Sequence, residues 1–225
     1  MIQQIFGRKD YYKHDPNNKR EEGRLVWAPV LFIPSQSEVR KLSFDDSGTF
    51  IGIEELDSKS SFKNSHKPFV TPFRLENTEE VLCIKAKQRP VILLCQADPG
   101  VMDFIVKTKA LDRDLKLGKV WLTLPLRSYK GDDFKLLVES LYFPVFFPFI
   151  GNGACPVEDS YGRFDNIQTT HTTLLDPSGY ILSKGVSDML KEAFISYITG
   201  IEYGDTYSFY RTEFLKELKR EGILK

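Results

Sequence analysis

The sequence predicts an α+β fold, with short apolar strands spread along most of the chain and helices towards its end. Three observations carry this. Arg89-Pro90-Val91-Ile92-Leu93-Leu94 sets an uninterrupted apolar run directly behind a proline, with the turn residues Asp98-Pro99-Gly100 beyond it. That pattern reads as a strand buried on both faces, and Pro90 suits a strand's first residue, where no ladder donor is needed. Lys119-Val120-Trp121-Leu122-Thr123-Leu124-Pro125-Leu126 reads as a second strand, ending in the polar turn Arg127-Ser128-Tyr129-Lys130-Gly131-Asp132. Helical periodicity, by contrast, is confined to the later part of the chain.

Residues 1–22 are polar and charged, with Asp15-Pro16-Asn17-Asn18 and Lys19-Arg20-Glu21-Glu22, and read as a mobile surface arm. Gly23 opens a strand over 24–33, and Pro29 inside it indicates an edge or a bulge. Residues 34–80 are rich in Ser, Asp, Lys, Gly and Pro, with short apolar clusters such as Phe50-Ile51-Gly52-Ile53. A stretch this long is expected to be an insertion carrying one or two short strands. Over 101–117 a helix capped by Asp103 and a strand through Phe104-Ile105-Val106 fit equally well. Asp132 or Asp133 can cap a helix reaching Tyr142, with Phe134, Leu137, Val138 and Leu141 on one stripe.

Phe143-Pro144-Val145-Phe146-Phe147-Pro148-Phe149-Ile150 is strongly apolar, and its two prolines exclude a central strand. It fits a loop covering the core or an exposed partner-binding surface. Residues 159–176 read as strand material and Asp176-Pro177-Ser178-Gly179 as a turn. Ser187 is expected to cap a helix to Thr199 that buries Met189, Leu190, Ala193, Phe194, Tyr197 and Ile198, with Gly200 as its stop. Thr206 would cap a last helix whose basic end (Lys216, Lys219, Arg220) suits the helix dipole.

Composition narrows the partners. With 31 Lys+Arg against 31 Asp+Glu the formal charge is zero, so an anionic partner requires a local basic patch. The three cysteines, Cys83, Cys95 and Cys155, lack zinc-type spacing, which argues for a reducing, cytoplasmic compartment and against both a disulfide framework and a structural zinc, and no cofactor is expected. No apolar run approaches a membrane span.

Several short motifs, in order, resemble the MazF/PemK toxin family of toxin–antitoxin endoribonucleases. They are Gly23-Arg24-Leu25-Val26-Trp27, Gln88-Arg89-Pro90-Val91-Ile92-Leu93-Leu94, Leu124-Pro125-Leu126-Arg127-Ser128, Ser160-Tyr161-Gly162-Arg163-Phe164-Asp165-Asn166-Ile167 and Leu182-Ser183-Lys184-Gly185-Val186-Ser187-Asp188. The match covers about half the chain. It implies a small, strongly bent antiparallel SH3-like barrel of the MazF/PemK/CcdB plasmid-toxin type, with C-terminal helices and the 34–80 insertion after the first strand. On that view residues 1–22 are an arm, 23–200 the barrel domain and 201–225 an additional helix. The implied activity is metal-independent cleavage of single-stranded RNA by 2′-hydroxyl attack, in a homodimer restrained by an antitoxin protein.

Such cleavage needs a proton acceptor and groups that stabilise charge on phosphate. Arg163 and Asp165, two apart on a strand, would share one face. Asp165 would take the 2′-hydroxyl proton while Arg163 and Arg89 stabilise the phosphorane and Ser128 positions it. Arg24, Trp27, Arg127, Tyr161 and His171 complete the expected RNA-binding set. From spacing alone, Arg163 and Asp165 read first as a same-face surface ion pair of small energetic consequence, and it is the resemblance that brings the catalytic reading level with it. Two departures bear on catalysis: Arg127 replaces a common Thr, and Gln168 a frequent Arg. The competing expectation is a non-catalytic SH3-like barrel that binds nucleic acid or a protein partner.

Overall fold

The computed structural model describes residues 1–31, 40–45, 47, 49–55, 69–70, 73–74, 82–83, 86–96 and 120–224. The strands are β1 (Tyr12–His14), β2 (Arg24–Leu31), β3 (Arg40–Phe44), β4 (Phe50–Glu55), β5 (Phe69–Val70), β6 (Phe73–Arg74) and β7 (Leu82–Cys83). They continue as β8 (Ala86–Gln96), β9 (Val120–Ser128), β10 (Phe146–Phe149), β11 (Ser160–Arg163), β12 (Gln168–His171) and β13 (Asp176–Leu182). The helices are α1 (Ile2–Phe6), α2 (Asp132–Glu139), α3 (Lys184–Thr199) and α4 (Asp205–Arg220). The chain divides into two units, Met1–Ala28 with Gln88–Lys225, and Pro29–Lys87.

The larger unit is built on an eight-stranded sheet ordered β1-β13-β2-β8-β9-β11-β10, with β12 also paired to β9. The four strands expected from the sequence, β2, β8, β9 and β11, are consecutive neighbours, and β8–β9 and β9–β11 are antiparallel. The expected SH3-like barrel is nonetheless absent. The sheet is open, with β1 and β10 as unjoined edges, and α+β is the level at which the predicted class holds. Both edge strands come from stretches that did not read as strands. Pro148 is tolerated in β10 because an edge strand leaves one row of donors unpaired. β1 lies within the segment read as a loose arm.

That segment is part of the core. Ile2 and Tyr11 are fully buried, and Tyr12 nearly so. The Tyr11 hydroxyl donates to the Pro148 carbonyl at 2.5 Å. The few apolar residues of 1–22 sit where they can be buried, which average polarity conceals. Around them pack Leu25, Ile92, Leu124, Leu126, Phe147, Phe149 and one face of α3, through Val186, Met189, Leu190 and Ala193.

Local chemistry explains the remaining departures. The expected strand over 160–168 is interrupted by a 3₁₀ turn at Phe164–Asn166. Asp176–Gly179 belongs to β13, whose register on β2 shifts between Pro177 and Tyr180, with Gly179 at φ 80°. A bulge thus uses the same residues that read as a turn. Helix α3 starts one turn earlier than expected, with Ser183 rather than Ser187 at its N-cap, and ends at Gly200 in the left-handed conformation. Gly131 and Gly204, not Asp132, Asp133 or Thr206, precede α2 and α4.

The smaller unit holds a three-stranded sheet ordered β4-β3-β7 and a β5–β6 pair, more strand structure than expected for 34–80. Asp45 organises the β3–β4 connection, its Oδ1 accepting from the Ser47 and Thr49 amides, each at 2.9 Å. The alternatives over 101–117 lie outside the described residues.

Candidate functional site

Strand pairing gathers part of the expected set. On β9 and β11, Arg127 is opposite Tyr161 and Ser128 opposite Ser160, while on β10 and β11 Phe146 is opposite Arg163. Asp165 lies in the 3₁₀ turn, so it does not share a strand face with Arg163 as predicted. The turn brings it back instead. Arg163 Nε donates to Asp165 Oδ1 at 2.9 Å and a terminal nitrogen to Oδ2 at 2.5 Å, a two-point pair with each side chain 38% exposed. The Arg163 guanidinium carbon stands 5.8 Å from the Phe146 ring centre.

These contacts set the charge state. The hydrogen bonds from Arg163 hold the Asp165 carboxyl below its ordinary range, against partial burial, and the charges of Arg163 and Arg127 add to this. A carboxylate neutralised in this way is a poor proton acceptor at neutral pH, the opposite of a tuned general base.

The other expected residues divide by burial. Arg24 is completely buried, donating to the Asp15 carbonyl at 3.0 Å and pairing with the Asp15 and Glu21 carboxylates. It is a structural cation, closed to a ligand. Tyr161 is packed among Tyr129, Phe134 and Phe146, with ring centres 5.2–5.4 Å away, and offers no free face for a base. Trp27 is half-buried in β2, in register with Asp176. His171 spends its Nδ1 on Thr173, 2.8 Å from Oγ1, at the start of a 3₁₀ turn. Arg89 is the fourth residue of the eleven-residue β8 and half-buried, so the strand starts at Ala86 and not at Pro90 as expected, and Arg89 lies inside it. Of the expected residues, Arg127, Arg163 and Asp165 stand together with side chains that are not buried, Arg127 lying opposite Tyr161 on the face that carries Arg163, whereas Ser128, the next residue along β9, points to the other face.

No protein-family model, curated protein or solved structure matches this chain. The resemblance to the MazF/PemK toxins is therefore unsupported by any match, and the open sheet contradicts the barrel on which it depended. The endoribonuclease assignment falls with it, since it rested on that resemblance and on Asp165 as base. So does the alternative of a ligand-binding barrel. Among the described residues no group of three or more His, Cys, Asp or Glu could hold a metal ion, and no helix is long and apolar enough to cross a membrane.

The sequence did not signal a second surface, at the α3–α4 turn. Ile198, Ile201 and Tyr203 are 62%, 70% and 53% exposed, although Ile198 was expected on the buried stripe of α3. Helix α3 buries Met189, Leu190 and Ala193, but among the described residues no element lies over Ile198 in its last turn. Beside this cluster lies a cavity of about 280 Å³ lined by Pro144, Tyr197, Ile201, Tyr207 and Arg211, among others. Tyr197 also stacks near Phe164, at 5.6 Å, between Arg163 and Asp165 in the chain.

The turn is held from below. Ser196 Oγ donates to the Glu192 carbonyl and accepts from the Tyr203 amide, both at 2.8 Å. Glu192 Oε2 accepts from the Tyr207 amide at 2.6 Å, at the start of α4. Arg211 donates to the Leu141 carbonyl at 3.1 Å and to Glu202 at 2.7 Å. A Cβ on Gly204, at φ 82°, would meet the Glu192 carboxyl at 2.2 Å, so a larger residue would displace the side chain that accepts from the Tyr207 amide. The only clue in the sequence was the isolated pair Ile198 and Ile201 flanking Gly200.

Proposed function

We propose that this chain is a protein-binding module and that the α3–α4 turn is its recognition surface. The observation that carries this is the exposure of Ile198, Ile201 and Tyr203 on a turn fixed by its own hydrogen bonds. Exposed apolar groups on a mobile loop would lose ordering entropy on binding, whereas on a fixed turn that cost is largely absent. The surroundings have the makeup of an interface centre, with aromatic rings (Tyr197, Phe143, Phe146) and arginines (Arg163, Arg211) whose charges already have partners. The partner is a protein segment that places a bulky apolar side chain in the cavity beside Ile201. The setting is a reducing, cytoplasmic one, supported by Cys95 and Cys155 standing as free thiols.

A photo-crosslinking residue at position 201, with one at exposed Lys130 as control, tests this in the native cell. One protein species captured from 201 and not from 130 is expected. The purified pair should then bind at least about 10-fold more weakly with Ile201→Glu, the loss typical of a hot-spot anchor. RNA as the crosslinked species, or reconstituted binding indifferent to Ile201→Glu, would overturn the proposal.

A further inference from the structure

Helix α4 carries a surface unrelated to the recognition turn. Its buried side is Tyr207, Phe214 and Leu218. Directly opposite, at helical spacing, run Phe209, Glu213, Lys216 and Arg220, which at 100° per residue fall within one narrow stripe. Phe209 is 59% exposed, an aromatic ring left in water on a helix whose other aromatics are partly or fully covered. All four residues border a groove of about 720 Å³ between α4 and Ile5 of α1.

The order of these four groups is self-complementary. If a second α4 lies antiparallel across the first, Phe209 faces Arg220 of the copy and Glu213 faces Lys216, each contact occurring twice about one two-fold axis. The centre is then an alternating quartet of two carboxylates and two ammonium groups. Each end carries a guanidinium over an aromatic face. A parallel pairing would instead set Glu213 on Glu213 and Lys216 on Lys216. Within one chain Lys216 bonds Glu213 at 2.8 Å, and both are well exposed, so this local pair is weak and can be exchanged for the one across the axis.

We infer that α4 mediates self-association into an antiparallel, two-fold symmetric dimer. An isologous contact needs one self-complementary patch, and this stripe is one. The helix has 16 residues and is about 24 Å long. A single face of that length buries less than the roughly 1,200 Å² of a stable complex, so the dimer is weak and reversible.

Sedimentation velocity on the full chain, from about 1 µM to about 1 mM, tests this. The wild type should pass from monomer to dimer across that range, and no further. Glu213→Lys and Lys216→Glu, each placing like charges across the axis, should weaken association at least about 10-fold. The two single variants mixed in equal amounts should form a heterodimer, since each now complements the other. The double swap should restore self-association. Circular dichroism checks that these exposed substitutions leave the fold intact. A wild type that stays monomeric throughout, or single variants that dimerise as the wild type does, would overturn the inference.

Discussion

Arg24 and Arg163 are both arginines paired with carboxylates beside the central sheet, and they differ in almost everything that follows. Arg24 has no exposed surface and is held by groups from the N-terminal segment, Asp15 and Glu21. Arg163 is 38% exposed and pairs with a residue two positions away. In the first case the arginine ties a distant stretch of chain to β2. In the second the pair is local and half in water, where its stabilising value is small and its charge is accessible from outside. The family resemblance suggested functional roles for both. Burial separates them.

Arg24→Ala is expected to have the largest effect. It removes a fully buried side chain from a packed site and releases the 15–21 segment. A loss of about 2–4 kcal/mol, mainly as a cavity, should appear in denaturant unfolding. Arg24→Met, which keeps the apolar stem, should lose less, and an equal loss would show the charge to matter more than the packing.

Gly162→Ala tests whether the Arg163 pair depends on the strand that carries it. A Cβ there would stand 2.6 Å from a Leu124 methyl, so either the buried Leu124 side chain or β11 itself must move. About 1–3 kcal/mol of destabilisation is expected, with loss of partner binding. A crystal structure of a fully stable variant with β11 and Leu124 unmoved would refute the tight contact.

Asp159 is an intermediate case, 16% exposed, accepting from Arg8 twice (2.8 and 2.9 Å), Lys135 (2.6 Å) and the Gly151 amide (3.0 Å). Burial pushes its carboxyl up, but the Arg8 and Lys135 hydrogen bonds outweigh this and hold it below the ordinary range. Asp159→Asn should cost about 1–2 kcal/mol at pH 7. A lowered folded-state pKa gives stability that is present above the ordinary carboxylate pKa of about 3.9 and is lost as pH falls through the folded value. The variant's stability should therefore decline less steeply than the wild type's below about pH 4. Glu139 has the opposite sign. Burial raises its carboxyl, with Lys135, 3.7 Å from Oε1, opposing, and among the described residues that oxygen has no hydrogen-bond partner. Its ionised form opposes folding at neutral pH, so Glu139→Gln should raise the melting temperature at pH 7 and lose that advantage in acid.

Arg163→Ala is expected to change stability least, within about 0.5 kcal/mol. Its effect should instead be on the affinity for a protein partner. A large stability loss would erase the distinction between the two arginines.

Several features were set by the sequence alone. The uninterrupted apolar run at Val91–Leu94 and the mainly apolar stretch Val120–Leu126 read as buried strands, and the spacing of Met189, Leu190 and Ala193 gave α3 a core face ended by Gly200. These are local consequences of side-chain chemistry repeated at the period of the backbone. Tertiary structure decided the rest. Whether the sheet closes depends on which strands lie at its edges, and both edge strands were hidden, β1 in a polar segment and β10 between prolines. Pairing between strands far apart in sequence leaves no periodic trace. Arg24 is buried where Asp15 and Glu21 reach it, and Ile198 is exposed because, among the described residues, nothing packs over the last turn of α3. Burial is a property of the assembled neighbours, so the same residue types became core at one position and surface at another.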